Sequence, residues 1–268
     1  MNDQIAQRGT ATAVQPMRPG EILSRAFQLY VRHWRTLLAI MAIALPLAAA
    51  NLESHAMPGG RHQISVYHNV VATTSTGMSI AAGVVAGAVM LLAFSLVAGA
   101  IISAAATASA GADPSVRRSY RFGFTRLGSL VPVIFLLWLA VAAGLTLLIL
   151  PGLYIGVLLA MSVPALVVED RRGTKALSRS WALVDGHWWH TFGTIFLTGL
   201  LIGVGNIAIN GTVGWFIESG WFAQTIAQAA SIALTTPLAA LVGVLLYLEL
   251  RARKEHVDYN TIRAELGG

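Results

Sequence analysis

Glu169 and Asp170 stand where an apolar run, VPALVV, meets a basic one, RRGTK. A carboxylate at such a corner can serve as a proton or metal site at the end of a span. It can equally be an interfacial anion, paired with Arg172, Lys175 or Arg179, or held at the positive N-terminus of the following helix. The ion-pair reading is the simpler one, since all three cations lie within ten residues of Glu169. Asn206 and Asn210 are four apart and share a helical face, and Gln224, Gln228, Ser231 and Thr235 form a ladder leading to Pro237. Polar groups in apolar helices usually hydrogen-bond to neighbouring helices. The alternative is a hydrated path, with Pro237 breaking its helix to free carbonyls for a solute or ion. No carboxylate, Lys or Arg accompanies these residues within the apolar runs, which disfavours a proton-coupled pump.

Glu53, His55, His62 and His68 could bind zinc. Their spacings of seven and six in a Gly-containing stretch lack the i,i+4 geometry of a helical site. Nucleophile-elbow, phosphate-loop and HExxH patterns are missing. So is the paired-Glu motif of intramembrane CAAX-type proteases, because no Arg stands four positions after Asp170. With no cysteine in the chain, thiolate chemistry and disulfides are excluded. The expectation is a protein without catalytic activity and without a cofactor.

The elements that must carry these residues are set by composition. The 268 residues include 18 Lys+Arg and 12 Asp+Glu against 56% hydrophobic residues, and mean hydropathy is +0.67. An ordinary soluble domain is about a quarter charged, whereas charge-free runs of about 20 residues match a hydrocarbon core of roughly 30 Å. Six runs qualify as spans: 36–52, 78–110, 129–150, 153–168, 191–214 and 225–248. The fourth is short and is joined to the third by Pro151-Gly152, so it either crosses or re-enters. The second is longer than a bilayer needs, and its end, SAAATASAGADPS, is expected to emerge from the membrane and stop at Asp113-Pro114. No cleavable leader is read before Thr36, so the first span would act as an uncleaved insertion signal.

A net charge of +6 is also the sign that nucleic-acid binding requires, but in so apolar a chain it reads as cytoplasmic loops facing anionic phospholipid head groups. Lys and Arg fall in four places: before the first span, at 110–128, at 169–190 and after the last span. Together these hold 17 of the 18, Arg61 being the exception. Six crossings put those four places on one face, with both termini cytoplasmic. Arg makes up 16 of the 18 cations, which with abundant Ala and Gly points to a GC-rich bacterial genome, and the expected location is the bacterial inner membrane. Residues 1–18 read as a tail, 19–250 as a single membrane domain and 251–268 as a cytoplasmic tail. The fold class is therefore all-α, a polytopic bundle of transmembrane helices. Small residues four apart, Gly83/Gly87, Ser95/Gly99/Ser103 and Gly199/Gly203, would let helices approach closely.

A repeat overlies this pattern. EILSRAFQLYVRHW places Ile22, Leu23, Ala26, Phe27, Tyr30, Val31 and Trp34 on one helical face, with Arg25, Gln28 and Arg32 opposite. KALSRSWALVDGHWW repeats it 154 residues later, so that Arg25, His33 and Trp34 match Arg179, His187 and Trp188. SVRRSYRFGFTRLGSL is a fainter copy, with Asp113 as N-cap and Pro114 at the first helical position. Three units follow, each a basic interfacial helix and then a two-span hairpin; chance likeness between amphipathic, aromatic-rich helices is the competing account. Arg25, Arg32, Arg121 and Arg179, with Trp34 and Trp188, are the candidate lipid-contacting residues.

The segment from Pro151 to Leu197 resembles a bacterial family of multi-span proteins, the membrane domain of glycerophosphoryl diester phosphodiesterase. The resemblance rests on Pro151-Gly152, on Pro164 running into Glu169, on Ala176-Leu177 with Ser180, and on Gly186 with Trp189. Pro237, Tyr247 and Arg251 look like the family's last span, and EILSRAFQLYVRHW its first helix. In members that are phosphodiesterases a separate soluble barrel carries the catalytic acids, His and metal ligands, so the resemblance implies no catalytic residue in this sequence. What remains is a membrane component that organises lipid or a protein partner. The alternative is a small-solute transporter or channel-like protein using Asn206, Asn210, Gln228 and Pro237.

Overall fold

The computed structural model describes residues 17–49, 76–216 and 221–255. Those residues are helical throughout apart from short connections: α1 (Pro19–Ala49), α2 (Thr76–Ser109), α3 (Val116–Thr125), α4 (Leu127–Leu147), α5 (Ile149–Leu159), α6 (Ser162–Glu169), α7 (Thr174–Val184), α8 (Trp188–Phe216) and α9 (Trp221–Glu255). Among the described residues five stretches are long and apolar enough to cross a membrane: Gly87–Ser109, Leu127–Thr146, Ile149–Glu169, Trp188–Ile209 and Ala227–Glu255. The protein is thus a multi-pass membrane protein, all-helical across the described residues. The span read at 36–52 runs partly beyond the described residues, as do His55, His62 and His68.

The basic helix expected before the first span is continuous with that span. α1 carries one non-helical residue, His33 (φ −116°, ψ 18°), at which it kinks. Arg126 (φ −104°, ψ 4°) separates α3 from α4 in the same manner. Between α7 and α8 the break is Asp185 to His187, with Gly186 at φ +80°, a region that glycine enters without steric cost.

α2 stops earlier than the charge pattern implied. Ala112 N–H donates to Thr107 O at 3.1 Å and Gly111 N–H to Ala108 O at 3.0 Å, with Gly111 at φ +86°. This is a Schellman closure. The SAAATAS segment is packed inside the protein: Ala104, Ala105 and Ala108 are fully buried, because small side chains let α1, α3 and α9 pack closely around them. Nor does Asp113 cap α3. Ser115 takes the extended N-cap position (φ −123°, ψ 129°) and the helix begins at Val116, leaving Asp113 3.6 Å from His33.

The fourth span is two helices, α5 and α6, broken at Ala160–Met161. Ser180 of α7 bridges the break, its Oγ donating to Leu158 O at 2.7 Å and accepting from Met161 N–H at 3.0 Å. Backbone groups left unpaired in an apolar interior are costly, so α7 is tied to that break. Pro237 ends nothing: α9 runs through it to Glu255, and the residue is buried.

α2, the α5–α6 pair and α9 touch one another in the centre. Leu241, Leu245, Leu246 and Tyr247 of α9 fill the core with Ile22, Leu37 and Ile40 of α1. Two close approaches close the packing. A Cβ on Gly152 would lie 2.6 Å from Leu145 N, and one on Gly123 would lie 2.8 Å from Leu96 O. Of the small-residue pairs read from sequence, Gly99 makes such a contact, against Leu130 and Gly123, whereas Gly87, Gly199 and Gly203 have nothing within 4 Å.

Candidate functional site

α6, α7 and α9 meet where their carboxylates and guanidinium groups gather. Arg179 of α7 forks onto Glu169 of α6, Nη2 to Oε1 at 2.7 Å and Nε to Oε2 at 2.9 Å. Tyr247 of α9 donates its hydroxyl to Glu169 Oε1 at 2.5 Å, and Arg251 lies 3.4 Å from the same oxygen. Arg179 also reaches Glu255, which accepts from Arg251 Nε at 2.8 Å. Arg171 Nε donates to Glu169 Oε2 at 3.3 Å from the outside. Both oxygens of Glu169 are thereby engaged, and its side chain is only 10% exposed. Burial alone would make Arg179 easier to deprotonate, but Glu169 and Glu255 raise its pKa and keep it charged.

Asp170 closes α6 in the left-handed region (φ 54°, ψ 31°), which Asp tolerates better than most residues. That turn aims its carboxylate at Arg126 of the α3–α4 junction and at Arg172, which donates from Nε and Nη2 at 3.2 Å each. The hydrogen bonds from Arg126 and then Arg172 hold the Asp170 pKa down to about 2.

A third group lies between α8 and α9. Glu249 is 2% exposed; Arg253 donates to its Oε1, and His190 Nε2 lies 3.4 Å from its Oε2. Glu249 Oε2, His190 Nε2, His187 Nδ1 and Thr191 Oγ1 are buried without a hydrogen-bond partner among the described residues. Among the described residues no group of three or more His, Asp or Glu is placed to hold a metal ion.

These pairs also orient the chain. Arg253 Nη2 donates to Met17 O at 3.2 Å, His33 faces Asp113, Arg126 holds Asp170 and Arg179 holds Glu255. The start of α1, the α2–α3 and α3–α4 junctions, the α6–α7 turn and the end of α9 therefore share one end of the bundle. At that end Arg18, Arg25, Arg32, Arg35, Arg117, Arg118, Arg121, Arg171, Arg172 and Lys175 are exposed.

The sequence candidates divide accordingly. Arg25, Arg32 and Arg121 are exposed, and Trp34 is 47% exposed with the Arg35 guanidinium 5.5 Å from its ring centre. Arg179 belongs to the internal network, with 19% of its side chain exposed. Trp188 stacks between Tyr154 and Phe192, with ring centres 5.5 and 5.0 Å away, and donates to Tyr154 O at 3.3 Å. Glu169 has the ion-pair environment, with Arg179 as its main partner, whereas Arg172 pairs with Asp170. In the spans, Ser231 donates to Asn206 Oδ1 and joins α9 to α8. Gln228 is exposed, and the side chain of Asn210 lies outside the described residues.

Charge placement alone did not reveal Tyr247, Glu249, Glu255 or Ser180. The signal for two of them was present: Glu249/Arg253 and Arg251/Glu255 are interleaved i,i+4 pairs at the end of the last span. Compared with known protein families, with curated proteins and with solved structures, the chain finds no match.

Proposed function

We propose that the chain is a non-catalytic component of a bacterial cytoplasmic membrane, with both termini cytoplasmic, that organises anionic phospholipid against a basic, aromatic belt. The observation that carries this reading is the split face of α1. Ile22 and Ala26 are fully buried against the core, but Phe27, Val31 and Trp34 on the same helix remain 56%, 55% and 47% exposed. They lie beside exposed Arg25, Arg32 and Arg35. Uncovered apolar residues flanked by cations are what an interfacial helix presents to head groups and upper acyl chains. Phe124 (70%), Trp181 (47%) and Trp189 (77%) give α3, α7 and the start of α8 the same character.

The arrangement supports the three-unit reading. α4 packs on α5 and on α2 of the unit before it, α8 packs on α9 and on α5, and α1 packs on α2 and on α9. Each first span thus touches its own second span and that of another unit, and α8 additionally packs on α1. His33 and Arg126, with nearly equal dihedral angles, mark the corresponding bends of two units. Return of the chain to one end after each hairpin supports six crossings.

The family resemblance keeps its place in this proposal because its motif positions have structural work: Gly152 allows the α4–α5 contact, Ser180 bridges α5 and α6, and Gly186 makes the α7–α8 bend.

The test is lipid retention. Wild-type protein and the Arg25→Gln/Arg32→Gln/Arg121→Gln variant are purified in mild detergent from the same membranes and their bound lipids quantified. Each cation contributes on the order of 1 kcal/mol near an anionic surface, so anionic relative to zwitterionic lipid should fall at least about fivefold, the factor for one such contribution. An unchanged ratio would remove the proposal.

A further inference from the structure

A cavity of about 480 Å³ lies between α2, α4, α5–α6 and α9, lined almost wholly by apolar side chains. We propose that it is a binding site for one acyl chain of a membrane phospholipid. Three observations converge on that occupant. First, the lining comes from four of the stretches able to cross a membrane, so the medium around the cavity is hydrocarbon. Pro164 precedes Glu169 by five residues and Phe94 precedes Ser109 by fifteen, so at 1.5 Å per residue the cavity spans roughly 8 to 22 Å from the basic end. That is the depth of the chains of lipids whose head groups lie at the belt.

Second, the space is made by small residues on each central helix: Ala98 of α2, Gly156 and Ala160 of α5 and its end, and Gly243 of α9. A Cβ on Gly243 would meet nothing within 4 Å, and one on Gly156 only a Val141 methyl at 3.8 Å. These glycines are not required by a close helix approach, unlike Gly144 and Gly152, whose Cβ atoms would strike backbone. Interiors are otherwise packed to crystal density, so space kept open by residues that could be larger calls for a filler. Third, the rim is open: Phe94 and Trp138 are 55% and 61% exposed, giving a side entrance from the bilayer. The site extends the proposed lipid-organising role from head groups to chains, but recognises hydrocarbon and not charge.

The test reconstitutes the full chain into phosphatidylcholine or phosphatidylglycerol vesicles containing a phospholipid with a diazirine in one acyl chain. After irradiation, labelled peptides are mapped by mass spectrometry. Wild type should be labelled within 94–102, 156–164 and 236–243, equally in both vesicle types. Gly156→Leu/Gly243→Leu should cut that labelling about tenfold, the factor for losing roughly two buried methylenes. Labelling on the outward residues Phe196, Leu200 and Val204 should stay unchanged, and serves as the folding control. Equal cavity labelling in the filled variant, or labelling by a free fatty acid diazirine but not by the phospholipid, would overturn the site. The Arg25/Arg32/Arg121 variant should label the cavity as wild type does, so failure of the head-group reading is distinguishable from failure of this one.

Discussion

The hydroxyl of Tyr247 donates to Oε1 of Glu169 at 2.5 Å, tying the last helix to a carboxylate 78 residues earlier. Tyr247 is fully buried, and a hydrogen bond to a charged group contributes about 1.5–3 kcal/mol. Tyr247→Phe should destabilise the protein by that amount. Arg179→Ala should cost more, about 3–5 kcal/mol, because it strips a largely buried carboxylate of its main partner. Arg171→Ala, at a side chain 51% exposed, should stay within about 1 kcal/mol. Equilibrium unfolding in detergent micelles reads this order, and equal effects from Arg171 and Arg179 would contradict it.

Ser180 offers a second measurement. Ser180→Ala removes both of its hydrogen bonds and leaves Met161 N–H without that partner, at a cost of about 1–3 kcal/mol. Because the lost bonds lie at the α5–α6 break, hydrogen exchange should accelerate first at Met161 and its neighbours. Uniform acceleration over the whole bundle would show that Ser180 is not a local tie.

The α4–α5 hairpin tests packing. Gly144→Ala and Gly152→Ala each force a Cβ to within 2.7 Å and 2.6 Å of backbone atoms, and overpacking of this kind typically costs about 1–3 kcal/mol. Gly199→Ala meets open space and should be neutral or slightly stabilising, since Ala favours a helix over Gly by about 1 kcal/mol. Thermal unfolding of the three variants separates a required glycine from an incidental one.

Two groups predict how stability follows pH. Asp170 has its pKa lowered to about 2 by Arg126 and Arg172, so its contribution is complete above the ordinary carboxylate range of about 4 and disappears as pH falls toward 2. Burial, then the charges of Arg253 and Lys254, lower the pKa of His187, opposed by Glu249 and by a backbone hydrogen bond to Asp185. Its neutral form is favoured in the folded state, so stability is full above about 6.5 and declines as pH drops below that value. Unfolding midpoints between pH 8 and 5 should fall less in His187→Gln than in wild type. Asp170→Asn should alter only the loss below pH 4.

Asn206 bears on the transport alternative. Its side chain bonds Ser231 across the α8–α9 contact, and Ser231 is 3% exposed. In this cysteine-free chain, Asn206→Cys should resist a membrane-impermeant thiol reagent, whereas Ser178→Cys, on an exposed residue of α7, should react in opened vesicles. Rapid labelling at position 206 would place water in that contact and favour a solute path.

Much of the architecture was legible because hydrocarbon imposes length and purity on spans, and basic residues segregate to one end. The expectation of Asp113 as a cap failed because Ser115 serves as the N-cap. The burial of the end of α2 was not legible because charge-free length records apolarity and not burial; four alanines at 104, 105, 106 and 108 pack as well inside protein as beside lipid. Reading Pro237 as a break overrated a missing N–H, which a buried helix in a packed bundle accommodates.

By itself the sequence determined that the chain is a helical membrane protein, which residues are basic and where they cluster, and that Glu169 has cations within reach, since composition and period are local properties. Only the tertiary structure decided that Arg179 turns inward to Glu169 and Glu255 while Arg25, Arg32 and Arg121 remain exposed. The same amphipathic pattern occurs in all three helices, and which cation turns inward depends on carboxylates delivered by α6 and α9 from far along the chain. The cavity beside Gly156 and Gly243 is likewise a tertiary fact, because a glycine that spares a clash and one that leaves a space are identical until their neighbours are in place.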